Sequence, residues 1–141
     1  MQGRYPFKKL PSYEHLRPED IAVWERFIEK YPNAYETVNY DLKTGKGREY
    51  PETPGELIQA DMIHLSRKRI DAVAYFGTWV YIIEIKPVAN PSAIGQIETY
   101  TELYKIDNPE IENIEKVIIA GEIDPDTQTV ANLKDIKVWI V

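Results

Sequence analysis

Three ionisable residues in the middle of the chain stand where such residues are least expected. Glu84 and Lys86 interrupt the apolar run WVYIIEIKP (79–87), and Asp71 lies inside RIDAVAYF (69–76). Gly77-Thr78 alone separates the two runs, and glycine at the first position of a two-residue connection is what a type II′ hairpin turn requires. With that turn Phe76 faces Trp79, and antiparallel register sets Asp71 directly opposite Glu84. Alternation puts Val80, Ile82, Glu84 and Lys86 on one face of the strand and Tyr81, Ile83 and Ile85 on the other. Facing carboxylates repel, and in so apolar a strand an unpaired charge is costly. Lys86, a retained proton or a bound divalent cation could compensate. A hard cation such as Mg²⁺ takes carboxylate and phosphate oxygens as ligands. The chemistry that follows is phosphodiester cleavage: the metal polarises the phosphate and acidifies a water, while Lys86 orients that water or offsets the charge of the transition state.

A helix must follow, and it brings further candidates. Over 92–105 the residues Ala93, Ile97, Tyr100, Leu103 and Tyr104 form an apolar stripe, with Gln96 inside it near Tyr100. A glutamine on a buried face needs a partner, which a substrate phosphate, a water, a carboxylate or a backbone group can supply. His15 and His64 stand in no ligand-like pair and suit surface or capping roles. Arg67, Lys68 and Arg69 lead into the Asp71 strand and could meet phosphates at the entrance to a site, with solvated charge as the simpler account. The clusters Arg4/Lys8/Lys9 and Lys43/Lys46/Arg48 read as solvated surface. No spacing code marks Tyr75 or Tyr81 as base-stacking residues.

The elements that would position these residues are legible in outline. Residues 18–31 carry Ile21, Val23, Trp24, Phe27, Ile28 and Tyr31 on one side of a helix, with Pro18 in its first turn. A strand over 35–43 ends at Thr44-Gly45-Lys46-Gly47, and 45–60 reads as a loop. The hairpin strands and the helix at 92–105 follow, then buried-type strands at 115–120 and 136–141 with a short helix from Asp126 between them. Residues 1–17 are expected to be an extended segment anchored by Tyr5, Phe7 and Tyr13, with no element of its own.

The length of 141 residues suits one domain, 1–141, and 43% apolar with 28% charged residues is globular composition. The absence of cysteine excludes disulfides and thiolate metal sites. No signal-peptide pattern or membrane-spanning run is read, so a cytoplasmic location is expected. A net charge of −6 argues against coating nucleic acid by bulk electrostatics.

Taken in order, Asp71, Glu84-Ile85-Lys86 and Gln96-Ile97-Glu98-Thr99-Tyr100 resemble the PD-(D/E)XK nuclease superfamily, in particular its RecB-like branch with a Gln-x-x-x-Tyr motif. The resemblance implies an α/β, restriction-endonuclease-like fold: a central mixed sheet flanked by helices in αβββαβ order, here with an added C-terminal strand. It implies Mg²⁺- or Mn²⁺-dependent hydrolysis of nucleic acid, DNA being the expected substrate, with Asp71, Glu84 and the Ile85 carbonyl as metal ligands. Lys86 would be catalytic, and Gln96 and Tyr100 would support it. Many members add an acid from the first helix. Glu25 and Glu29 compete for that role, and Glu25, at the border of the apolar stripe, is preferred. Ile70 stands where many members have proline. A catalytically silent module binding nucleic acid or a protein is the alternative, and an internal salt-bridge network a third. The apolar strand 136–141 suggests a homodimer.

Overall fold

The chain is described from a computed structural model over residues 3–47 and 67–141. His64, Arg48 and most of the loop expected at 45–60 lie outside those residues. Along the chain run β1 (Tyr5–Pro6), α1 (Pro18–Lys30), β2 (Thr37–Thr44), β3 (Lys68–Phe76), β4 (Trp79–Ala89), α2 (Pro91–Asp107), β5 (Ile114–Ile123), α3 (Pro125–Leu133) and β6 (Ile136–Ile140).

Local chemistry starts each helix. Pro18 opens α1, followed by Glu19 and Asp20, acids favoured at the positive end of the helix dipole. Asn90 caps α2 by accepting from the Ser92 amide at 3.1 Å, and Asp124 caps α3 by accepting from the Thr127 amide at 2.9 Å. Both helices place proline directly after the cap.

Hydrogen bonding joins the strands in the order β1-β2-β3-β4-β5-β6. Neighbours from β1 to β4 are antiparallel, whereas β4–β5 and β5–β6 are parallel. Each parallel step needs a crossover, which α2 and α3 provide. Among the described residues the protein is therefore α/β, with a six-strand mixed sheet and three helices. Val23, Trp24 and Phe27 of α1 pack on one sheet face against Val38, Ile83 and Ile119. Ala93, Ile97 and Ala131 of α2 and α3 pack on the other against Val73, Ile82 and Ile118. Covered on both faces, the middle of β4 and of β5 reads as an almost unbroken apolar run.

The N-terminal segment departs from expectation by forming β1. Tyr5 and Pro6 pair with Val38 and Thr37, and the Gly3 and Arg4 amides donate to Thr37 Oγ1 and Asn39 Oδ1. The outer edge of β2 presents unpaired backbone groups, and this short stretch satisfies part of them. The expected anchors do hold the segment: Phe7 packs edge-on against Trp24, Phe27 and Tyr35, and the rings of Tyr5 and Tyr13 lie against Tyr40.

Candidate active site

The β3–β4 hairpin turns on Gly77, whose φ of 57° is left-handed, whereas Thr78 stays outside that region, as a type II′ turn demands. Phe76 pairs with Trp79, and the ladder runs from there to Ala72–Ile83. The next step brings Asp71 level with Glu84, and there the pairing changes character. The Ile85 amide donates to Asp71 Oδ2 at 2.9 Å, so a side chain takes the bond that a backbone carbonyl would otherwise accept.

The neighbouring strand pair shows why. Asp41 of β2 lies level with Asp71, between the pairs Tyr40–Ala72 and Leu42–Ile70, and its φ is 51°. Aspartate tolerates this left-handed conformation better than most residues. Across that point both strands exchange faces: Tyr40 and Ala72 belong to the core under α1, Leu42 and Ile70 to the core under α2. The interruption of the regular pleat opens a polar cleft of about 450 Å³, walled by Asp71, Glu84, Lys86, Gln96 and Tyr100. Arg17 and Asp20 from the start of α1, with His15, Asp41 and Arg69, form its other side.

Glu84 is 2% exposed at its side chain, and Lys86 Nζ stands 3.5 Å from its Oε2. The Glu84 and Asp71 carboxyls face one wall of the cleft together and act on each other electrostatically. Burial, then the charge of Asp71, holds the Glu84 carboxyl well above the usual carboxylate range, with Lys86 pulling the other way. Burial also raises Asp71, opposed first by the Ile85 amide. The pair therefore retains a proton, carried by Glu84, at pH values where exposed carboxyls have lost theirs. On α2 Gln96 and Tyr100 line the cleft one turn apart, and the pKa of the Tyr100 hydroxyl is raised by burial and then by Glu84. Gln96 Oε1 is buried with no partner among the described residues.

Five of the residues singled out in the sequence thus share one cleft. Ile85 contributes the amide that fixes Asp71, while its side chain is buried under α1. Glu25 requires correction: it accepts a 2.9 Å hydrogen bond from the Tyr13 hydroxyl and lies outside the cleft. Glu29 pairs with Lys9. Both glutamates fasten the N-terminal segment to α1, and the acids of α1 that line the cleft are the exposed Glu19 and the half-buried Asp20. The Asp20 carboxyl is raised by burial and then by Glu19, and lowered by Lys86. A sequence signal for it existed, since Asp20 precedes Val23, Trp24 and Phe27 by helical spacing and heads their buried stripe. Asp41 and Arg17 carried no such signal. Among the described residues, no three His, Asp or Glu side chains are grouped closely enough to enclose a cation by themselves.

At the far end of α1 a second recess of about 440 Å³ is lined mainly by Tyr31, Tyr35, Tyr81 and Trp139. No helix among the described residues is long and apolar enough to cross a membrane.

No family model matches the chain, and no curated protein matches it either. Among solved structures it is similar to AF1548, a protein of unknown function known from a crystal structure, with 15% identity and a TM-score of 0.45 over 85% of this chain. The match covers 54% of that protein, so the chain spans about half its length.

Proposed function

We propose that this protein is a metal-dependent nuclease of restriction-endonuclease-like fold that hydrolyses DNA phosphodiester bonds, a member of the PD-(D/E)XK group in its RecB-like form. The observation that carries this reading is the Asp71–Glu84 pair: a half-buried and a buried carboxyl on neighbouring strands of one hairpin, beside Lys86, at the polar break in an apolar sheet. Such a pair has two stable solutions, a retained proton or a bound cation. The hairpin, crossover helix and parallel strand that frame it support the same fold.

The donor set fits Mg²⁺ or Mn²⁺, hard ions that take carboxylate oxygens and keep part of their hydration. Asp71 and Glu84 would hold the ion, with the Ile85 carbonyl as the implied third ligand, while Asp20 lines the same cleft without closing a three-carboxylate cage among the described residues. The orphaned Gln96 Oε1 is an acceptor suited to a hydrated ligand. Bound there, the cation would supply Lewis acidity to a phosphate oxygen and acidify a water. Lys86, 30% exposed at its side chain and next to Glu84, offers its ammonium to the phosphate or to the attacking water. Tyr100, one helical turn after Gln96, lines the same cleft.

The test is cleavage of labelled single-stranded, duplex and branched DNA in Mg²⁺, Mn²⁺ or EDTA, with Asp71→Asn and Lys86→Ala as folded controls. Metal-dependent cutting lost in both variants is the expected result. A wild type that cuts nothing and, by calorimetry, binds no Mn²⁺ overturns the reading.

A further inference from the structure

Opposite the carboxyl pair, the cleft wall sets Arg17 and Arg69 among Glu19, Asp20 and Asp41, and Arg69 is unusually constrained. Arg69 NH1 lies 3.2 Å from His15 Nδ1, and Arg69 Nε lies 3.8 Å from Asp41 Oδ1. His15 Nε2 in turn lies 3.4 Å from Asp41 Oδ2. A guanidinium carries no acceptor, so Arg69 donates to Nδ1, and the His15 proton must sit on Nε2, directed at Asp41. Both imidazole nitrogens thereby face a partner, and His15 braces Arg69 against Asp41. His15 and Asp41 both hold left-handed backbone, with φ of 57° and 51°, a conformation that costs of order 1 kcal/mol or more for residues other than glycine.

These bonds fix Arg69 without using it up. Of its five N–H groups, one meets His15 and one is turned to Asp41, which leaves three directed elsewhere. Its side chain is 33% exposed, and the residue walls the same cleft as Asp71 and Glu84. Arg17 lies on that wall too and forms no ion pair among the described residues. Asp41 is 10% exposed at its side chain, so its charge is spent on holding the basic pair in place. A planar, pre-aimed guanidinium with free parallel donors matches the oxygens of a phosphate.

We infer that Arg69, braced by His15 and Asp41 and joined by Arg17, is a second phosphate subsite that grips the nucleic-acid backbone next to the phosphate held at Asp71 and Glu84. This deepens the nuclease reading and rests on it. The substrate is then a strand engaged through at least two successive phosphates, and a lone phosphodiester is bound incompletely. Asp41 is a positioning residue, acting through Arg69.

The experiment is binding of a fluorescein-labelled thymidine octanucleotide, followed by anisotropy in Ca²⁺ across a salt series, for wild type, Arg69→Ala and Asp41→Asn. Asparagine accepts left-handed backbone, so the second variant removes the brace while keeping the fold. Arg69→Ala is expected to weaken binding roughly tenfold and to make the log–log salt dependence shallower by about 0.7, the value for one single-strand phosphate contact. Asp41→Asn is expected to lose part of the same affinity at unchanged Tm. Wild-type affinity and salt slope in Arg69→Ala overturn the subsite, as does a wild type that does not bind the octanucleotide. Cleavage of single-stranded, duplex and branched DNA by wild type in Mn²⁺ is scored separately: no cleavage of any of them, with no Mn²⁺ bound, refutes the nuclease reading, while the salt slope still decides the subsite.

Discussion

Replacing Glu84 by glutamine in metal-free protein should stabilise it at neutral pH. The folded Glu84 keeps its proton because burial and Asp71 disfavour its charge, whereas an unfolded glutamate titrates near 4.5. Between those two values the native state binds one proton more than the unfolded state, so stability falls as pH rises, by about 1.36 kcal/mol per pH unit. From about pH 5.5 to about pH 7.5 the Glu84 contribution therefore declines by about 2.7 kcal/mol. A chain of this length shifts its Tm by about 4 °C per kcal/mol, so the loss is about 10 °C. Glutamine keeps the shape, cannot ionise, and donates its amide to Asp71, so Glu84→Gln lacks this decline. The assay is thermal unfolding in EDTA across that pH range for both proteins. The two Tm curves should diverge as pH rises, with the variant higher; parallel curves, or a variant that is less stable near neutrality, would refute the reasoning.

Adding Mn²⁺ should reverse the wild type's deficit: at a hundredfold excess over Kd, binding to the native state alone adds about 2.7 kcal/mol, and Glu84→Gln should show a much smaller rise in Tm. Lys86→Ala should cost no more than about 1 kcal/mol by denaturant unfolding, because its ion pair is partly exposed and Glu84 holds a proton. The same variant should slow cleavage by about a hundredfold or more, and a loss of about 3 kcal/mol without loss of cutting would favour an internal salt-bridge network. Gly121→Ala should destabilise by about 1–3 kcal/mol, since a Cβ there would meet the Pro87 carbonyl oxygen at 2.8 Å. Phe27→Ala, which opens the core beneath Phe7 and Trp139, should cost about 3–5 kcal/mol in chemical denaturation.

Where one physical rule governed a stretch, the sequence was readable. The glycine of the hairpin set the β3–β4 register, and that register led to Asp71 and Glu84 before any coordinates. Prolines marked the starts of α1 and α2 within a residue or so. What stayed hidden depended on tertiary context. Glu25 and Asp20 are both acids near the edge of one helical stripe, and only the path of the N-terminal segment, which brings Tyr13 to Glu25, separates their roles. β1 escaped notice because two residues hold no periodicity, and the free edge of β2 that recruits them is not a local property. The exchange of faces at Asp41 was invisible for a related reason: a strand whose halves serve two different cores obeys no single alternation. Arg69 was noticed as positive charge, but its fixation by His15 joins residues 54 positions apart.

The bond from the Ile85 amide to Asp71 has a spectroscopic consequence. Most amides of a sheet interior report on backbone geometry, but this one reports on the state of a carboxyl in the cleft. Protonation of Asp71, or its recruitment by another ligand, withdraws electron density from the acceptor oxygen and should move the Ile85 amide resonance and speed its hydrogen exchange, while the amides of Ile82 and Ile83 stay still. The chain thus carries its own isotopic probe of whatever occupies the cleft, readable in solution without a substrate or an attached label.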